Sequence, residues 1–169
     1  TWSSGSDKGS SSFRVEPFKL PRFRVVATPD RPFYGAGQRP KVDGAVVYSS
    51  GARVQKASVE LHWTVVGAWP PPADWKTTAL PQKTTTDAAG RFVVQLPRVP
   101  YDLQGRVTLS ARVSAVDPAG DRVDGAVTVL LSQDALQVAA ITPLADGLVS
   151  GFNNRMYLRV TTADGRPLP

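Results

Sequence analysis

The sequence of 169 residues has no cysteine, one histidine and one methionine. Without cysteine there are no disulfides, no thiolate metal sites, no cysteine nucleophile and no thioester built on a cysteine. The compartment stays open on this count. His62 has no second imidazole beside it, whereas a zinc site ordinarily takes three or four convergent protein ligands. The many serines include no Gly-x-Ser-x-Gly elbow, so nothing sets His62 into a Ser-His-Asp arrangement. No run approaches the ~18 apolar residues of a membrane-spanning helix. No window reads as an amphipathic helix of ten residues or more. The net charge is +6, but Lys and Arg are scattered and form no basic stripe, which disfavours nucleic-acid binding. The "YGAGQRP" loop lacks the Gly-Lys-Ser/Thr ending of a phosphate-binding loop. No initiator methionine and no signal-peptide pattern is seen, so a piece of a longer polypeptide is expected.

What is abundant points to strands. Val and Thr recur between 14 Gly and 15 Pro, with 41% apolar and 20% charged residues. That composition suits short strands joined by tight turns. Over Arg106–Val116, Val107, Leu109, Ala111, Val113 and Ala115 alternate with polar residues, the period of a half-buried strand. "DPAGD" then turns the chain into "GAVTVLLS", with Val127, Val129 and Leu131 on one face. Val59, Leu61, Trp63 and Val65 alternate with Ser58, Glu60, His62 and Thr64, which puts His62 on the outer side. Further strands are expected over Arg22–Thr28, Val42–Tyr48 and the "RFVVQLP" after "DAAG". The fold class expected is all-β: an antiparallel immunoglobulin- or fibronectin type III-like β-sandwich of about seven strands. After Ala140 a loop, an alternating Met156, Leu158, Val160 segment and an "ADGRP" turn repeat the earlier pattern and read as the first strands of a following similar domain.

Three segments invite a functional reading. "FRVEPFKLPRFRVVATPDRPFYGAG" (13–37) is basic, aromatic and rich in proline. Its Phe23, Val25, Ala27 alternation makes it a joint leading into a first strand, with Arg22 and Arg24 on the solvated face. "GAWPPPADW" (67–75) sets Pro70, Pro71 and Pro72 between Trp69 and Trp75. It reads either as an exposed protein contact, since Trp is favoured at interfaces, or as a loop folded onto the sandwich edge. Asp117, Asp121 and Asp124 gather at one turn, where turn-forming carboxylates are a better reading than a calcium site.

Phe13, Val15, Glu16, Pro21, Phe23 and Val25, followed by Tyr34 and Gly37, Tyr48 and Gly51, then Ala57, Val59 and Trp63, resemble the macroglobulin-type domains of the alpha-2-macroglobulin family. "TTDAAGRFVVQLP", "VSAVDPAGDRVDGAVTVLLS" and "TTADGRPLP" look like the inner turn, the closing hairpin and the early turn of the next such domain. The resemblance covers nearly everything after Ser12, and its Pro- and Trp-bearing insertion looks like bacterial members.

The resemblance implies a large exported parent, periplasmic or at the cell surface, that traps proteases after cleavage of a bait region. It implies neighbouring domains of the same chain as partners, and proteases as targets of the parent. No Cys-x-Glu-Gln thioester motif is present, so no reactive residue carries over. The expected division is a linker or appended remnant over 1–12, a macroglobulin-type sandwich over 13–140, and the start of the next domain over 141–169. The expected role is a non-catalytic scaffold, with no cofactor, no metal, no nucleic acid and no direct membrane insertion. Pro17, Pro21 and Phe23 would form the interdomain joint. The alternative is an adhesion or ligand-binding sandwich that uses the Trp69–Trp75 loop.

Overall fold

The computed structural model describes residues 22–142, 150–151 and 153–168. In chain order its strands are β1 (Phe23–Pro29), β2 (Lys41–Tyr48), β3 (Ser58–Val66), β4 (Lys83–Thr85), β5 (Arg91–Gln95), β6 (Arg106–Val116), β7 (Arg122–Ser132), β8 (Leu136–Ile141) and β9 (Tyr157–Thr162). The helical content among these residues is a three-residue 3-10 turn at Ala73–Trp75. One sheet has the order β1-β2-β5, a second β4-β3-β6-β7 and a third β8-β9, with every strand pair antiparallel. The first two sheets make the expected seven-stranded sandwich.

Side-chain alternation decides which face of each strand is inside. Val107, Leu109, Ala111 and Val113 of β6 are buried, as are Val59, Leu61 and Trp63 of β3 and Val127, Val129 and Leu131 of β7. Val42, Val46, Phe92 and Val94 line the facing sheet. Each buried Val, Leu or Phe side chain among them stabilises the fold by about 1.5–3 kcal/mol, so a core of this size needs no disulfide.

Four turns are built alike. At Tyr48–Ala52, Asp87–Arg91, Asp117–Asp121 and Thr162–Arg166, the fourth residue is a glycine with positive φ, and its N–H donates to the carbonyl of the first. The first and fifth residues close a further backbone bond, with the first donating. This is the type I turn with a left-handed glycine that joins strands across a three-residue loop. Asp87 and Asp117 reinforce their turns: in each, Oδ1 accepts two backbone N–H groups at 2.8–2.9 Å.

Three elements differ from the sequence reading. β7 begins at Arg122 rather than Gly125. Gly125 is interior to the strand because β1 crosses there: a Cβ would lie 2.8 Å from Val25 Cγ1 and 3.1 Å from the Val25 carbonyl oxygen. β4 is a polar edge strand of three residues, too short to show a period. β8 lies mostly in the stretch expected to belong to the first unit, yet it pairs with β9 from Leu136↔Thr162 to Ile141↔Tyr157. The β8–β9 pair reproduces β1–β2: two antiparallel strands, the same glycine turn, then an isolated bridge, Val47↔Arg53 in one and Thr161↔Pro167 in the other.

Candidate functional site

The chain runs into the sandwich at one pole and leaves it at the other. At the first pole Phe23 opens β1 beneath Tyr48, ring centroids 6.0 Å apart and edge-on. The Arg22 carbonyl accepts from Ser49 N (2.7 Å) and Oγ (3.0 Å). Tyr48 Oη donates to Asp117 Oδ2 at 3.1 Å, and Arg22 lies 3.8 Å from Asp121. Partial burial and then the Asp117 contact hold the Tyr48 phenol above its ordinary value. The aspartates of the 117–121 turn therefore hold the turn and the start of β1. Asp124 accepts a hydrogen bond from the Ser114 hydroxyl. Among the described residues no three acids or histidines converge as metal ligands.

At the second pole Tyr34 is the fastening. Its backbone makes a parallel bridge to Leu131: Tyr34 N donates to Leu130 O and Ser132 N to Tyr34 O, both at 2.9 Å. Its ring is 1% exposed. The phenol oxygen meets the Asp30 carboxylate and the Lys41 carbonyl (3.1 Å), and accepts from Arg31 N (3.3 Å). Burial first, and then the hydrogen bond to Asp30, push this phenol up to about 12. The loop from Tyr34 to Gln38 is thus structural, and Gly37 and Gln38 bond in turn to Val99.

The Trp-Pro segment closes the same pole. Trp69 and Trp75 are 4% and 1% exposed and pack edge-to-face with centroids 6.3 Å apart. Trp75 Nε1 donates to the Arg98 carbonyl (3.2 Å), and Trp63 Nε1 to the Pro81 carbonyl (2.8 Å). Pro70 is exposed, while Pro71 and Pro72 are half-buried. The reading of Trp69 and Trp75 as an exposed contact is corrected on this point: the indoles complete the core, because sealing the open end of a sandwich gives them a large apolar burial, with the Arg98 carbonyl as partner for the Trp75 N–H. What the segment offers to solvent is Gly67, Ala68, Pro70, Ala73 and Asp74.

Of the joint residues, Pro17 and Pro21 lie outside the described residues. Phe23 is 2% exposed and packs in this sandwich rather than facing outward. His62 sits on the outer face of β3, opposite Arg112, as its strand position requires. No helix among the described residues is long and apolar enough to cross a membrane.

Comparison with solved structures bears on this two-pole arrangement. The native conformation of Escherichia coli alpha-2-macroglobulin superposes with a TM-score of 0.62 over 90% of this chain, at 15% identity. Salmonella alpha-2-macroglobulin gives 0.61 over 90% at 14% identity. The fold is that of a stretch of bacterial alpha-2-macroglobulin. The trypsin-activated E. coli protein matches as well, with a TM-score of 0.59 over 86% of the chain at 13% identity. The chain spans 11–12% of the length of these alpha-2-macroglobulins. No family model matches the sequence, and no curated protein matches it. The macroglobulin-type fold implied by the resemblance is the fold found.

Proposed function

We propose that this chain is a non-catalytic scaffold module of a bacterial alpha-2-macroglobulin-like, protease-trapping protein, exported to the periplasm or cell surface. The observation that carries the reading is the end-to-end path: β1 starts at one pole beside Asp117, and β7 leaves at the other beside Tyr34 into β8. A domain threaded this way is a link in a series. It passes force and orientation from the domain before it to the domain after it. The β8–β9 pair, as a second copy of β1–β2, supports a following unit that begins at Leu136. The partners are then neighbouring domains of the same polypeptide, and proteases are targets of the whole. The adhesion alternative keeps only the prolines of its loop, because both indoles are buried.

The isolated chain mixed with trypsin provides the test. A scaffold module leaves trypsin activity unchanged and forms no complex with it on size-exclusion chromatography. Inhibition by the isolated chain overturns the scaffold reading, and saturable binding to a glycan array favours adhesion.

A further inference from the structure

Between Ser132 at the end of β7 and Leu136 at the start of β8 stand only Gln133, Asp134 and Ala135. Each of the three is tied down. Gln133 N donates to the Gly105 carbonyl (2.8 Å), and its Oε1 accepts from Gly105 N (3.0 Å), a closed amide pair that resembles one more rung of a ladder. The Asp134 carbonyl accepts from Ser132 Oγ (2.8 Å). The Ala135 carbonyl accepts from Ala163 N (2.9 Å), beyond β9. Arg106, the next residue after Gly105, reaches across to β8. With the Gln137 amide oxygen turned toward it, as the donors and acceptors there require, Arg106 Nη1 and Nε donate at 3.1 and 3.2 Å. Asp164, held low first by the Thr162 hydroxyl, also feels the charges of Arg166 and Arg106.

We propose that Gly105–Gln133 and Arg106–Gln137 form a polar clasp that fixes the angle between the sandwich and the β8–β9 unit. This holds whether or not the parent traps proteases. A three-residue connector with no other restraint would swivel. Here the start of β6 grips both the connector, through Gly105 and Gln133, and β8, through Arg106 and Gln137. The planar guanidinium suits this role, because two of its N–H groups converge on the one Gln137 amide oxygen and so set direction as well as distance. Gln137 shares its face with Ala139 and Ile141, so the clasp holds that side. Away from the clasp both faces of the pair stay open, with Val138 and Leu158 65% and 64% exposed on one and Ile141 and Tyr157 47% and 56% on the other.

The absence of native cysteine allows a direct test. Thr64→Cys on the sandwich and Ala140→Cys on β8 introduce the only two thiols, and spin labels on them report the distance between the units by pulsed electron resonance. The clasp predicts one narrow distance distribution, which broadens in Arg106→Ala and in Gln137→Ala and is not restored by Arg106→Lys. The melting temperature of the sandwich should stay put in Arg106→Ala. A distribution that is broad at the outset, or narrow and unmoved by Arg106→Ala, overturns the proposal. So does an Arg106→Ala variant whose sandwich itself melts early.

Discussion

Tyr34 joins three parts of the chain: its own loop, the start of β2 through Lys41, and the end of β7 through Leu130 and Ser132. Its phenol titrates near 12 in the fold against about 10 in an unfolded chain. The raised value means that the neutral phenol is the form the fold favours. Its stabilisation is complete below pH 10 and fades as pH climbs toward 12. Tyr34→Phe should therefore lose about 1 kcal/mol at neutral pH, the usual worth of such a hydrogen bond. It should also flatten the alkaline fall in stability over that window, as followed by urea unfolding at stepped pH. Trp75 sets a larger scale. Fully buried and bonded to Arg98, it should cost about 3–5 kcal/mol when truncated to Ala, the range for a large core aromatic. An exposed contact residue would cost almost nothing in the same chemical melt.

The glycine turns show how a local rule becomes an element. Gly90 and Gly120 occupy the same position in two turns, at φ 68° and 90°, but their surroundings differ. A Cβ at Gly120 meets nothing within 4 Å, so Gly120→Ala isolates backbone strain and should cost about 1 kcal/mol. A Cβ at Gly90 comes within 3.0 Å of the Val46 carbonyl and 2.9 Å of Arg53 Cβ, so Gly90→Ala should be clearly worse in the same thermal melt. The strands that alternate over many residues, β3 and β6 above all, were legible in the sequence because one face had to be dry. β4 was not, since three polar residues show no period. Gly125 was read as a strand start because the crossing of β1 over β7 is a tertiary fact that no local pattern records. The Trp-Pro segment was ambiguous for a related reason. Trp is equally suited to a core and to an interface, and only the open pole of the sandwich decides between them. The proposed division between units was blurred at β8, whose apolar residues look like a continuation of β7 until β9 pairs with them.

At the scale of the whole molecule the described residues form a sandwich threaded from pole to pole, followed by the β8–β9 pair that we propose opens a second unit. The two poles are fastened differently. The first relies on the Asp117 turn and the edge-on contact of Phe23 with Tyr48, and the second on Tyr34, the buried tryptophans and the Arg106 clasp. On the proposed scaffold reading, such a module would work by keeping its neighbours at a set angle, which places its functional weight on the segments that join it to them. Proline fixes φ and removes a donor, and on the proposed scaffold reading that is the part Pro17 and Pro21 would play ahead of β1. The most direct test is protease retention by the proposed parent polypeptide carrying Pro17→Gly and Pro21→Gly, followed by size-exclusion chromatography after addition of trypsin. A scaffold linked in series predicts that less trypsin is retained while the sandwich melts at an unchanged temperature; retention equal to that of the unaltered polypeptide would contradict it.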